Sequence, residues 1–184
     1  MQFISESLGV VASFLEMGGP VLLLIGGLLF LMWTLIFERI FYFSNDLSAD
    51  LALVIQEWES RSERRSWNAR KIREALISES VMKINQNMAI IKTLIALAPM
   101  LGLLGTVTGM IEVFHVMAVT GGGDPKSMAG GVSRATVPTM AGMVAALSGV
   151  FAQAYLMRIV ERESAMLEEK MTSCLLYTSD AADE

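Results

Sequence analysis

Hydrophobic positions in this chain gather into three long, nearly unbroken runs. Residues 20–37 carry no charge before Glu38, residues 93–111 lie between Lys92 and Glu112, and residues 135–157 lie between Arg134 and Arg158. Each run reaches the roughly 18–20 apolar residues that a helix needs to cross a hydrocarbon core of about 30 Å. A lone segment in lipid must satisfy its backbone internally, so all three are expected to be helices. Between the first two runs the pattern changes. Residues 46–92 lack Gly and Pro and carry apolar stripes, Leu51, Val54, Ile55 and Trp58, then Ile72, Leu76, Val81 and Ile84. Stripes of this kind predict amphipathic helix. Nothing from Ser80 to Ala98 signals a stop, so the 80s are expected to run unbroken into the second span.

The expected organisation follows. Residues 1–19 form an outer-face amphipathic helix, on the helical spacing of Phe3, Ile4, Leu8, Val11, Phe14 and Leu15. That segment is not a cleavable signal, because it has no basic start and carries Glu6 and Glu16. A first span at 20–43 ends in an aromatic anchor of Phe37, Phe41, Tyr42 and Phe43. A cytoplasmic helical loop occupies 44–92, with an arginine-rich patch from Arg61 to Arg73 that is either a solvated bend or a contact for headgroups or a partner. The second span is 93–119, a periplasmic turn and the start of the next helix 120–134, the third span 135–157, and a cytoplasmic helical extension 158–171. Residues 172–184 lack periodicity and read as a terminal extension or sequence-end artefact without functional weight.

Composition agrees with this class: 184 residues, 53% hydrophobic, with 4 prolines. Orientation follows the basic residues rather than net charge. Arg61, Arg64, Arg65, Arg70, Lys71, Arg73, Lys83 and Lys92 fall in the loop, none falls in 1–19, and Lys126 stands alone in the turn. The N-terminus is therefore expected outside and the C-terminus inside. A net charge of −5 says little about partners, and nothing supports nucleic-acid binding. The single cysteine, Cys174, permits no internal disulfide.

The second and third runs read as an antiparallel hairpin around Gly121-Gly122-Gly123-Asp124-Pro125. Ala98, Gly102, Gly105 and Gly109 form a seam of small residues on the first arm. Ala135, Thr139, Gly142, Ala146 and Gly149 form one on the second. In lipid, such seams let backbones approach closely, since packing drives association there. They serve packing within one subunit, or between subunits of a ring as well. Counted from Gly123, Thr106 and Thr139 are nearly equidistant, so the two hydroxyls are expected at one depth, as a pore or polar lining. By the same count Glu112 and Arg134 stand level near the outer edge of the membrane and are expected to pair. Pro99 and Pro138 each remove a backbone donor inside a span.

Enzyme chemistry has no support: no nucleophile–base pair is apparent, and Glu112-x-x-His115 is one half of a metal set without a second. No cofactor is expected. Between Lys92 and Glu112, and between Arg134 and Arg158, no side chain titrates near neutral pH. A proton path through lipid normally needs an intramembrane Asp, Glu or His. If this chain conducts protons, a partner must bring the carboxylate.

The run Ala98-Pro99-Met100-Leu101-Gly102-Leu103-Leu104-Gly105-Thr106-Val107-Thr108-Gly109-Met110 resembles the signature of the ExbB/TolQ family of inner-membrane energisers. So does Gly131-Val132-Ser133-Arg134-Ala135, continuing through Thr139, Gly142, Val144, Ala145 and Ala146. The resemblance covers about 1–171, and within the family is most like the ExbB of accessory TonB systems. It implies a homopentameric ring around a dimer of a single-span partner, ExbD or TolR, that carries a proton-accepting aspartate. It implies that Thr106 and Thr139 face that aspartate, that proton flow turns the dimer, and that TonB or TolA passes the work to the outer membrane. One departure stands out: Arg134 occupies a position where many ExbB proteins have glutamate. Alternatives are a TolQ-type subunit of an envelope system, and a membrane scaffold with no ion path. A flagellar stator subunit would need a fourth span.

Overall fold

A computed structural model describes the backbone of residues 2–61, 63, 66–121 and 125–180, and the side chains of 18–61, 63, 66–119, 121 and 128–171. The outward pattern of Phe3 to Leu15, the middle of the turn after Gly121, and Cys174 lie outside the described side chains. The described residues are nearly all helical, and no strand occurs among them. Five helices follow one another: α1 (Gln2–Asn45), α2 (Leu47–Glu59), α3 (Trp67–Asn85), α4 (Met88–Thr120) and α5 (Pro125–Asp180). Three helical stretches are long and apolar enough to cross a membrane, Gly18–Asn45, Trp67–Val119 and Met128–Met171. Less than a third of each apolar window is buried, so most of the surface is left for lipid or further chains. At 1.5 Å per residue the 56-residue α5 is about 84 Å long, far beyond the thickness of a bilayer core.

A kink marks the boundary between the first helix and the first span, and two further local features correct the expectation of continuous helix. α1 kinks at Gly19 (φ 62°, ψ −162°), and Pro20 then begins the apolar part. Only glycine adopts that backbone cheaply, and proline suits a first helical turn because its missing N–H would have no partner there. The loop helix is interrupted after Glu59, where Ser60, Arg61, Glu63 and Ser66 are non-helical. α3 restarts behind Ser66, whose hydroxyl oxygen accepts from the Ala69 amide at 3.1 Å. The 80s do not run into the second span either. Gln86 is extended and Asn87 sits at φ 64°, the left-handed region that Asn tolerates better than other side-chain-bearing residues. At the C-terminal end, α5 continues as helix to Asp180, past the point where the periodicity fades.

The chain divides into two compact units. The first comprises Met1–Thr34 and Ile90–Phe151. Its centre is Val21, Ile25, Ala98 and Ala145, with Leu28, Leu29, Leu101, Ala141 and Ala146 packed against them. The second comprises Leu35–Ala89 and Ala152–Glu184. It centres on Trp58, Ala69, Leu167 and Met171, flanked by Leu51, Val54, Ile55, Leu76 and Ile77. These are the apolar stripes of the loop turned inward against α5.

Candidate functional site

Glycine sets the geometry of the first unit. A Cβ placed on Gly102 would lie 3.0 Å from Thr139 Cα and 3.1 Å from Pro138 O. On Gly109 it would lie 2.8 Å from Ala135 Cβ, and on Gly142 2.5 Å from Ala98 O. Gly105 sits under the Pro138 ring, and Gly149 lies against Ile95 and Met32. The α4 and α5 backbones thus touch along the small-residue seam, the close approach that lets packing hold helices together in lipid. Ala146 lies at the edge of the same core rather than at a backbone contact.

That contact decides the register. Thr139 Oγ1 donates to the carbonyl oxygen of Gly102 at 2.8 Å, across the seam. Thr106 Oγ1 donates instead to Leu103 O on its own helix, at 2.7 Å. Thr139 is therefore level with Gly102, about one helical turn (roughly 5–6 Å) along α4 from Thr106. The expected matching of the two hydroxyls is corrected by that turn. Register follows the fit of Gly102, Gly105 and Gly109 against Thr139, Pro138 and Ala135, not equal distance from the middle of the turn. Both threonines are half-buried.

Glu112 and Arg134 are exposed, and no ion pair joins them among the described residues. The expected pairing is not seen among the described residues. Ala135 is the residue that meets α4, and one residue back along α5 rotates Arg134 by about 100° away from that contact. His115, one turn beyond Glu112, is exposed too.

A second polar constellation, in the other unit, escaped the sequence reading. Tyr42 Oη donates to Asp50 Oδ2 at 2.9 Å, and Lys83 Nζ pairs with the same oxygen at 2.7 Å. The hydrogen bond from Lys83, and next that from Tyr42, hold the Asp50 carboxyl below its ordinary value. Arg39 is 2% exposed, its guanidinium 5.3 Å over the Tyr42 ring, with Nη1 donating to Lys83 O at 3.4 Å. Asn87 Nδ2 donates to Glu38 Oε2 at 3.1 Å. These contacts tie the end of α1 to α2 and to the α3–α4 joint. A cavity of about 190 Å³ beside them is lined by Tyr42, Asp50, Ser80 and Lys83 among mostly apolar neighbours. Its two charges are bonded to each other. The only signals in the sequence were the polar run Asn85-Gln86-Asn87 and an arginine next to the aromatic anchor.

Taken together, apolar helices with a glycine seam and hydroxyls but no acid in their middle define a multi-pass helical membrane protein. A family model described as the MotA/TolQ/ExbB proton channel family matches residues 43–169. The chain belongs to that family. An ExbB-like biopolymer transport protein of Synechocystis sp. is 39% identical over 77 residues, 40% of this chain and 30% of that protein. Biopolymer transport protein ExbB of Helicobacter pylori is 35% identical over 89 residues, 48% of this chain and 59% of its own. Biopolymer transport protein exbB1 of Vibrio cholerae is 33% identical over 102 residues, 55% of this chain and 45% of its own. The matched stretches span less than two thirds of each relative's length.

Proposed function

We propose that this chain is the proton-channel subunit of an inner-membrane complex of the TonB–ExbB–ExbD type, which uses the proton-motive force to energise uptake across the outer membrane. The observation that carries the reading is the α4–α5 seam. Its hydroxyls, Thr139 above all, are polar groups in apolar runs, 93–111 and 135–157, that hold no Asp, Glu or His. A hydroxyl lines a path but does not carry a proton charge, so an ExbD-like single-span partner supplies the carboxylate. The relatives named ExbB favour this system over other members of the family. In this reading the exposed flanks of the spans pack against copies of the chain in a pentameric ring and against lipid. Thr106 and Thr139 face the partner, TonB receives the work, and the loop between the first two spans is cytoplasmic.

The test is functional. Thr139→Val and Thr106→Val are made in the complex with its partner co-expressed, and energised iron–siderophore uptake is measured. Loss of uptake on Thr139→Val is the expected result. Normal uptake in both variants sinks the lining assignment, and uptake that survives replacement of the partner's aspartate sinks the proton mechanism.

A further inference from the structure

The cavity between the end of α1, α2 and α3 sets a charged pair against an apolar wall. Asp50 and Lys83 line it together with Leu51, Val54 and Ile84. Leu53, which also lines it, is 63% exposed, and the Lys83 side chain is more than half exposed, so the cavity opens outward. Its volume is about 190 Å³. At roughly 30 Å³ for a water-sized group, that holds about six such groups. A two-carbon amine with its phosphate at the mouth fits, and a sugar or inositol headgroup does not.

The depth of this cavity follows from contacts within the second unit. Glu38 is the first charge after the apolar run 20–37 and marks where α1 leaves the hydrocarbon. Asn87 bonds to Glu38, which puts the α3–α4 joint at that same level. Tyr42 lies one turn beyond Glu38 along α1, and Lys83 about one turn before Asn87, each about 6 Å away. The headgroup layer is about 5–8 Å thick on each side of the hydrocarbon core. The Tyr42–Lys83 level therefore falls among headgroups. Phe41, beside Tyr42 and 65% exposed, is an aromatic of the kind found at that boundary.

The charged pair keeps bonding capacity of both signs. Tyr42 Oη and Lys83 Nζ both meet Asp50 Oδ2, so Oδ1 keeps its lone pairs for another donor. An ammonium has three N–H donors, and Lys83 commits one of them to Asp50. The cavity thus offers two donors for a phosphate and a carboxylate oxygen for an ammonium. We propose that it binds one phospholipid with a zwitterionic, primary-amine headgroup of the ethanolamine type. The phosphate takes the Lys83 donors, the ammonium donates to Asp50, and the acyl chains lie in the leaflet beside Phe41. A purely anionic headgroup meets the Asp50 charge, and a trimethylammonium headgroup has no N–H to give it. The site is separate from the seam and does not depend on the transport role.

Native mass spectrometry of the full chain, released from mild detergent, tests this. The probes are phosphatidylethanolamine, phosphatidylcholine and phosphatidylglycerol with identical acyl chains. The ethanolamine lipid is expected to bind about tenfold more tightly than the other two, the worth of a hydrogen bond to a charged group. Asp50→Asn should remove that preference, and Lys83→Met should weaken the ethanolamine and choline lipids together. Leu53→Trp fills the mouth without touching the charged pair, so lipid lost there cannot be ascribed to a broken helix joint. Lys71→Met, at an exposed lysine bonded to Glu74 outside the cavity, should change nothing. Equal binding of the three lipids overturns the proposal. So does a preference for the glycerol lipid, or an ethanolamine preference that survives Asp50→Asn or Leu53→Trp. No readout here involves uptake, so failure of this site leaves the proposed function as it stands.

Discussion

Gly142 faces the carbonyl oxygen of Ala98 so closely that a Cβ at 142 would lie 2.5 Å from it, and 3.2 Å from Gly102 Cα. Both neighbours are backbone, which cannot rotate aside. Gly142→Ala is therefore expected to push α4 and α5 apart and destabilise the protein by about 1–3 kcal/mol, in spite of alanine's better helix propensity. Gly26→Ala is the control. Nothing lies within 4 Å of a Cβ there, and the change should stay within about 0.5 kcal/mol. Unfolding of the purified protein in detergent compares the two, and equal stability would count against the close seam.

The register makes a sharper claim about the two threonines. Thr139 bonds across the seam and Thr106 bonds to its own helix. Thr139→Val should cost about 0.6 kcal/mol, the typical worth of an interhelical hydrogen bond in a membrane, and Thr106→Val should cost less. The order of the two losses is the readout. If Thr106→Val proved the more damaging to stability, the register would be wrong.

At the α3–α4 joint the prediction concerns backbone. Asn87 stands at φ 64°. Asn87→Gly, which relieves the left-handed conformation but loses the bond to Glu38, should be close to neutral. Asn87→Val, branched at Cβ, should lose about 1–2 kcal/mol. Chemical denaturation of the three proteins checks the ranking, and a valine variant as stable as the glycine variant would refute it.

Asp50 predicts a pH dependence. Its carboxyl is held below the ordinary value of 3.8, first by Lys83 and then by Tyr42. A group depressed in the folded state contributes its full stability above its unfolded pKa and loses it as pH falls through the folded one. The melting-temperature advantage of the native protein over Asp50→Asn should be constant from neutral pH down to about 5. It should then shrink at pH below about 4. An advantage that persists unchanged at pH about 2 would show that the Lys83 and Tyr42 contacts do not act on this carboxyl.

In the second unit Trp58 is 1% exposed, at the centre of the cluster with Ala69, Leu167 and Met171. Trp58→Ala should cost about 3–5 kcal/mol as a cavity the surrounding helices fill only in part. Limited proteolysis of the loop between α2 and α3 is expected to accelerate with it. Unchanged cleavage would place this cluster outside what holds those helices.

How much of this was readable along the chain differs by element. The apolar runs at 20–37, 93–111 and 135–157 announced the spans, because lipid imposes a length and a helical backbone on any sequence that enters it. The stripe from Leu51 to Trp58 foretold the face that packs against α5. Asn87 gave no such notice. A lone Asn interrupts a helix when something holds it in the left-handed region, and here Glu38, distant in sequence, supplies the bond. Arg39 reads as an interfacial charge, yet it is buried, under the Tyr42 ring one turn along α1 and against Lys83 O, which only the fold brings to it.

The hairpin shows the same division within one site. Composition and spacing alone determined that Gly102, Gly105, Gly109 and Gly142 would line a close contact, since only small residues permit one. Which residue lies opposite which was beyond them. Equal distance from the turn set Thr106 level with Thr139 and Glu112 with Arg134. The structure put Thr139 against Gly102 and left the two charges exposed, with no ion pair between them among the described residues. A local pattern specifies which face of a helix is buried. The slide and rotation of one helix against another are decided by the fit of side chains to backbone across the seam, and that fit exists only once both helices are in place.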